Sequence, residues 1–179
     1  GKAVKAENGK IYVSVVFSDG DNVQFDQNAL YAIWTEDTDR GAFPVGTTLC
    51  AGMQELNPFL LEWYYKHMSP NDELMAGPSG YQFIYGRDYS EEGYEKWLEL
   101  NRRWLASAGF KTACFWHTSY GTDRFYRYAE TAGLEGVFNG DDDVVLDYHD
   151  GVIIMNQGDH LVAEGDLYNN LAHRQGLLD

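Results

Sequence analysis

Ile11-Tyr12-Val13-Ser14-Val15-Val16-Phe17-Ser18-Asp19-Gly20-Asp21-Asn22 is a continuous apolar run that ends in two carboxylates separated by a glycine. Rich in Val and Ile and too short for a helix of ordinary length, the run reads as a strand buried on both faces. Its charged end then lies at the carboxyl edge of a sheet. Ligands of α/β proteins bind at that edge, so Asp19 and Asp21 are the first candidates for chemistry.

Working outward, the segment from Asn22 to Trp34 has apolar residues at a mixed period and reads as a loop leading into a short helix, with Asp26, Glu36, Asp37 and Asp39 making it acidic. Val45–Cys50 predicts a second buried strand. A helix over about 57–67 follows, opened by Asn57-Pro58, because Asn caps and Pro tolerates the first helical position. Glu73–Gly77 predicts a third strand, running into a glycine-bounded loop with three aromatics, Tyr81, Phe83 and Tyr85. From Ser90 to Gly109, Tyr94, Trp97, Leu98, Trp104, Leu105 and Ala108 share one helical face, interrupted by Asn101 as its single polar member.

Lys111–Trp116 predicts a fourth strand, Thr122–Ala132 a helix, and Leu134–Phe138 a fifth strand. Alternating strands and helices imply parallel strands joined by right-handed crossovers. The rhythm breaks at Asp150-Gly151, a hairpin signal between 144–149 and 152–156, and a final helix is expected from about Asp166. A complete eight-unit barrel needs more than roughly 200 residues. The expectation is therefore a single α/β domain over residues 1–179, with a mostly parallel sheet, open or an incomplete barrel, flanking helices and one β-hairpin insertion.

Composition narrows the function. A net charge of −15 excludes nucleic acid and anionic membrane surfaces as partners, because both require cationic patches. No apolar stretch is long enough to span a bilayer. The 13 Tyr, 9 Phe and 5 Trp suit both a core and the stacking of sugar rings. Cys50 and Cys114 sit at or near predicted strands and read as buried free thiols. The opening Gly1-Lys2-Ala3-Val4-Lys5 suggests a domain excised from a longer protein.

Asp19-Gly20-Asp21 has two readings. As paired carboxyls it supplies acid/base or nucleophilic groups for a glycosidic bond, each raising the other's proton affinity. As Ser-Asp-Gly-Asp-Asn it is a turn whose side chains bond their own backbone. Calcium-loop spacing fails from both Asp19 and Asp141, because the fifth and sixth positions are Val23-Gln24 and Val145-Leu146. No cofactor is expected, and no metal ligands are assigned. His117 and His160 adjoin strand ends on the edge of Asp19, whereas His67, His149 and His173 read as helix surface or turn. Gly77-Pro78-Ser79-Gly80 lacks the spacing of a nucleophile elbow.

The order Val-Phe-Ser-Asp-Gly-Asp-Asn, Arg40-Gly41, Pro44-Val45-Gly46, Leu56-Asn57-Pro58 with Trp63-Tyr64-Tyr65, Asn71-Asp72 and Ala76-Gly77-Pro78-Ser79-Gly80 resembles the C-terminal domain of the GxGYxYP family of putative glycoside hydrolases. Against the naming motif, Gly80–Gly86 keeps the first Gly and the second Tyr, has Gln82 for the middle Gly and Phe83 for the first Tyr, and ends in Gly86. The resemblance implies a bacterial, extracellular or periplasmic protein with a further N-terminal domain and a carbohydrate substrate.

The expected function is thus carbohydrate processing at the carboxyl ends of the strands. Asp19 and Asp21 are the catalytic candidates, Asn22 and Ser79 polar contacts, Tyr81, Phe83 and Tyr85 a stacking wall, and His117 and His160 supporting groups. Asp141, Asp142, Asp143 and Asp159 are alternatives for a second carboxylate. Two other readings stand beside it, a non-catalytic glycan-binding module and a metal-dependent deacetylase-like domain, the latter lacking a His-x-x-x-His pair.

Overall fold

The structure, a computed structural model, describes residues 14–84, 88–115, 122–139, 146–149 and 151–156. The chain runs β1 (Val16–Phe17), α1 (Val23–Gln27), α2 (Ala29–Glu36), β2 (Val45–Leu49), α3 (Met53–Leu56), α4 (Pro58–Lys66), β3 (Asp72–Ala76), α5 (Glu91–Ala108), β4 (Thr112–Phe115), α6 (Thr122–Thr131), β5 (Gly136–Asn139), β6 (Leu146–His149) and β7 (Val152–Asn156).

These strands form one sheet in the order β1-β2-β3-β4-β5-β7-β6. Every pairing is parallel except β6 with β7, giving six parallel strands that curl into a half-barrel. The hairpin expected around Gly151 is present, and its register places β7 directly beside β5, with Val137 opposite Ile154. β7 thus continues the parallel order, and β6 alone turns back.

Local chemistry sets the helix ends. Asn57 accepts from the Leu60 N–H and Pro58 opens α4. Ser90 caps α5 by accepting from the Gly93 N–H, and Gly109 ends it in the left-handed region at φ 78°. The first helix differs from expectation. Asn22 accepts from both Gln24 and Phe25 N–H groups, so α1 begins directly after the carboxylates instead of after a loop.

One sheet face packs on the helices. Leu49, Leu74, Ala76, Ala113 and Phe115 join Tyr64 of α4, Trp97 of α5 and Tyr128 of α6 in a single apolar cluster. The other face holds small or slender residues, Gly46, Thr48, Met75 and Cys114. A Cβ on Gly46 would stand 2.9 Å from the Met75 sulfur, so the Met75 side chain packs over this glycine. Residues 11–13 lie outside the described part of the opening strand. Val16 is half-buried and Phe17 is 39% exposed, because β1 pairs on one side only.

Candidate active site

The polypeptide at the end of β1 is held by groups from β2 and β3. Gly20 N–H donates to Thr48 Oγ1 at 2.9 Å, and that hydroxyl donates to the Phe17 carbonyl at 3.0 Å. No side chain fits at Gly20, where a Cβ would lie 1.9 Å from the Thr48 carbonyl oxygen. Gly77, just past β3, is equally confined, since its Cβ would come within 2.6 Å of Asp21 N and Gly20 C. The glycine between the two carboxylates is thus a close backbone crossing, and it fixes Asp19 and Asp21 at the carboxyl edge.

Asp19 itself has φ 83° and Ser79 has φ 67°, the two non-glycine residues in the left-handed region among the described residues. Such conformations cost of order 1 kcal/mol and persist where surrounding structure enforces them. Both stand beyond strand ends on this one edge, after β1 and β3.

The carboxyls differ in environment. Asp19 is exposed. Asp21 is half-buried, and burial pushes its carboxyl up to about 6, with the charge of Asp19 adding to the rise. Asp26, on α1, is fully buried. Burial, and then the charges of Asp21 and Asp19, push it up to about 8 despite the Cys50 N–H that its Oδ2 accepts at 3.3 Å. Among the described residues its Oδ1 has no hydrogen-bond partner. Cys50 is pushed up to about 11 by burial, so the thiol is neutral, and its sulfur donates to the Tyr81 carbonyl at 3.1 Å.

Tyr81 is seated from several sides. Its N–H donates to Asn101 Oδ1 at 2.8 Å, its hydroxyl donates to Glu55 Oε2 at 2.7 Å, and its ring stacks on Trp104 with centroids 6.0 Å apart. Gly80, at φ 95°, leaves no room for a Cβ, which would lie 2.1 Å from Asn101 Oδ1. Gln82, by contrast, is not in the left-handed region. A side chain is therefore accommodated where the naming motif has glycine.

The expected site residues separate as follows. Asp19, Asp21 and Asn22 occupy one loop, with Asn22 exposed and its oxygen engaged as the α1 cap. Tyr81 and Phe83 are half-buried in the adjoining loop. Ser79 is fully buried, with its hydroxyl donating to the Ile84 carbonyl at 3.0 Å and its N–H to the Cys114 carbonyl at 3.2 Å, so it shapes the loop from within. Tyr85, His117, His160 and the acids Asp141, Asp142, Asp143 and Asp159 lie outside the described residues. Cys50 and Cys114 are buried thiols. Among the described residues no group of three or more His, Cys, Asp or Glu is placed to hold a metal ion.

Sequence reasoning did not single out Asp26, Thr48 and Asn101 as site residues. Asn101 carried a usable signal, the single polar side chain on an apolar helix face. Its Nδ2 donates to the Trp97 carbonyl at 2.9 Å and its Oδ1 seats Tyr81, so the interruption in the α5 stripe serves the loop opposite. Asp26 and Thr48 carried none, because their partners are 24 and 28 residues away in the chain. A separate open groove of about 970 Å³ lies at the amino ends of the strands, lined by residues such as Val16, Pro44, Asn71, Lys111 and Phe138. It contains none of the carboxylates just described.

A parallel half-barrel with helices packed on it and a carboxylate pair at its carboxyl edge defines an α/β protein. Residues 9–176 match the GxGYxYP putative glycoside hydrolase C-terminal domain, and the chain belongs to that family. Its fold is similar to that of a putative hydrolase from Bacteroides thetaiotaomicron VPI-5482, known from a crystal structure at 1.25 Å resolution, with a TM-score of 0.76 and 24% identity. That likeness covers 86% of this chain and 31% of the other, so the chain spans about a third of its neighbour's length. No curated protein matches it.

Proposed function

We propose that this domain hydrolyses glycosidic bonds at the carboxyl ends of its strands, with Asp21 as the acid/base carboxyl and Asp19 as its partner. One observation supports this above the others. Asp21 is only half-buried, yet burial pushes its carboxyl up to about 6, and no described cation pairs with it or with Asp19. A proton donor to a leaving glycosidic oxygen needs such a raised carboxyl, and a second carboxylate beside it can serve the anomeric carbon or orient the water that adds there.

The adjoining loop suits a sugar ligand, because Tyr81 and Phe83 offer ring faces of the kind that stack on pyranose C–H groups. Tyr85, His117 and His160 belong to the same proposal as further contacts, and Asn22 as a hydroxyl ligand through its amide N–H₂ group. Ser79 is assigned to holding the loop, given its buried hydroxyl. Hydrolysis by two carboxyls requires no cofactor. The family description supports the substrate class, and we extend the reading to a secreted, multidomain protein acting on an external glycan.

The test is reducing-sugar release from a panel of glycans by the parent, Asp19→Asn and Asp21→Asn. Loss of about 100-fold or more in Asp21→Asn is expected. Full activity in both variants sinks the assignment. A parent that binds glycans on an array without turning them over, with affinity unchanged in both variants, indicates a binding module instead.

A further inference from the structure

Asp26 is the least comfortable group in the described structure. It is fully buried, and among the described residues its Oδ1 has no partner and no cation pairs with it. A carboxyl retained only for architecture is expected to have its oxygens satisfied, because an unsatisfied buried polar atom costs roughly 1–3 kcal/mol. Its surroundings are shared with the loop that carries the proposed chemistry. Asp26 lies one helical turn after Asn22, which caps the helix, and its own N–H donates to the Asn22 carbonyl at 3.0 Å.

Four elements converge on it. Asp19 and Asp21, on the β1–α1 loop, are near enough for their charges to act on it. Cys50 donates its N–H to Oδ2 from the end of β2 and its thiol S–H to the Tyr81 carbonyl, tying Asp26 to the aromatic loop. Tyr64 of α4 donates its hydroxyl to the Asp26 carbonyl at 2.6 Å, and Tyr31 of α2 lies near that hydroxyl. Every described titratable neighbour is therefore acidic or neutral, and none of them offsets a negative charge on Asp26.

We propose that Asp26 is a positioning residue for Asp21: sealed in the first turn of the helix that opens at Asn22, and accepting the Cys50 N–H at Oδ2, it couples the Asp19–Asp21 loop to the Cys50–Tyr81 contact. The proposal rests on the assignment of Asp21 as the reacting carboxyl, but its physical content concerns two coupled carboxyls and is measurable without substrate. Asp21 releases its proton first and Asp26 second, since Asp21 is pushed up to about 6 and Asp26 to about 8. Titrations of groups in such contact appear in one another's signals.

The experiment is a pH titration of the side-chain carboxyl ¹³C signals of Asp21 and Asp26 by NMR, in the parent chain and in Asp26→Asn. The parent Asp21 signal is expected to move in two steps, one near pH 6 and one near pH 8, and Asp26→Asn to lose the second while keeping the first. Thermal unfolding gives an independent reading. Removing an unpaired buried acid should raise the melting temperature by about 4 °C at pH 8 and leave it unchanged at pH 4, because the parent Asp26 is protonated there.

A single step in the parent Asp21 signal overturns the coupling even if the variant does not fold. An Asp26→Asn protein that is less stable at every pH assigns Asp26 to architecture and overturns the positioning role. Loss of the proposed hydrolysis reading leaves the two-step titration standing or falling by itself, so the two failures are distinguishable.

Discussion

Glu91 and Glu95 on α5 face Arg124 and Arg127 of α6, whereas Asp19, Asp21 and Asp26 are like charges near enough to act on one another. On the α5–α6 surface, Glu91 Oε2 and Oε1 accept from Arg124 at 3.0 Å and Arg127 at 2.6 Å, and Arg127 also pairs with Glu95. The hydrogen bond from Arg127 holds the Glu91 carboxyl below its ordinary value. At the carboxyl edge the shift has the opposite sign, with burial as its first cause. The chain has 13 Lys and Arg to distribute, and it places six described ion pairs on helix surfaces while leaving the site loop without a described one. Exposed pairs contribute little to stability, so this distribution is informative about the loop rather than about the helices.

The largest expected effect breaks the loop side of this comparison. Gly20→Ala inserts a Cβ 1.9 Å from a backbone oxygen, and Gly77→Ala one 2.6 Å from two backbone atoms, so each forces the crossing apart. Each should cost about 3 kcal/mol in urea denaturation and abolish the raised titration of Asp21. A variant with parent-like midpoint and titration contradicts the close crossing.

Next comes pH, which separates the two regions by sign. Asp21 and Asp26 are raised from 3.8 to about 6 and about 8, so the folded state holds their protons more tightly than the unfolded chain. Their contribution to stability is fully present below about pH 4 and is lost as pH rises toward 8. Glu91 is lowered, so its contribution is present above its unfolded value of 4.5 and is lost as pH falls. Melting temperature should fall by roughly 5 °C between pH 5 and pH 8, since the raised group is the buried one. A rise over that interval contradicts the raised carboxyls of Asp21 and Asp26.

Asn101→Ala sharpens the link between the core helix and the site. It leaves the Tyr81 N–H without its acceptor and should cost about 2 kcal/mol, read in denaturant, with a change in Tyr81 near-ultraviolet dichroism. Ser90→Ala, which removes the α5 cap far from the loop, should cost about 1 kcal/mol and leave the Asp21 titration unchanged. Smallest of all is Glu91→Gln, which should shift neither the denaturant midpoint beyond measurement error nor glycan hydrolysis.

Part of the candidate site is legible in the sequence. Asp19 and Asp21 follow from an apolar run that ends in charge, because a sheet edge is where such a transition is tolerated. The α5 stripe follows from its period, and Asn101 stands out on it. The expectation that the opening strand is buried on both faces does not extend to Val16 and Phe17, because burial of a strand depends on its place in the sheet. Whether a strand is central or at the margin is decided by crossovers that local pattern does not contain.

By itself, then, the sequence determined the alternation of strands and helices, the caps at Asn57, Ser90 and Gly109, the hairpin at Gly151 and the carboxylate pair that ends β1. These are local properties, governed by period, backbone preference and side chains a few residues apart. Tertiary structure alone decided that Gly20 crosses Gly77 so closely that neither has room for a Cβ, that Thr48 holds the loop and Cys50 the helix after it, and that Asp26 is sealed with one oxygen unpartnered among the described residues. Proton affinity depends on solvent exclusion and on charges brought close by folding, so two aspartates five positions apart acquired different chemistry from the same side chain.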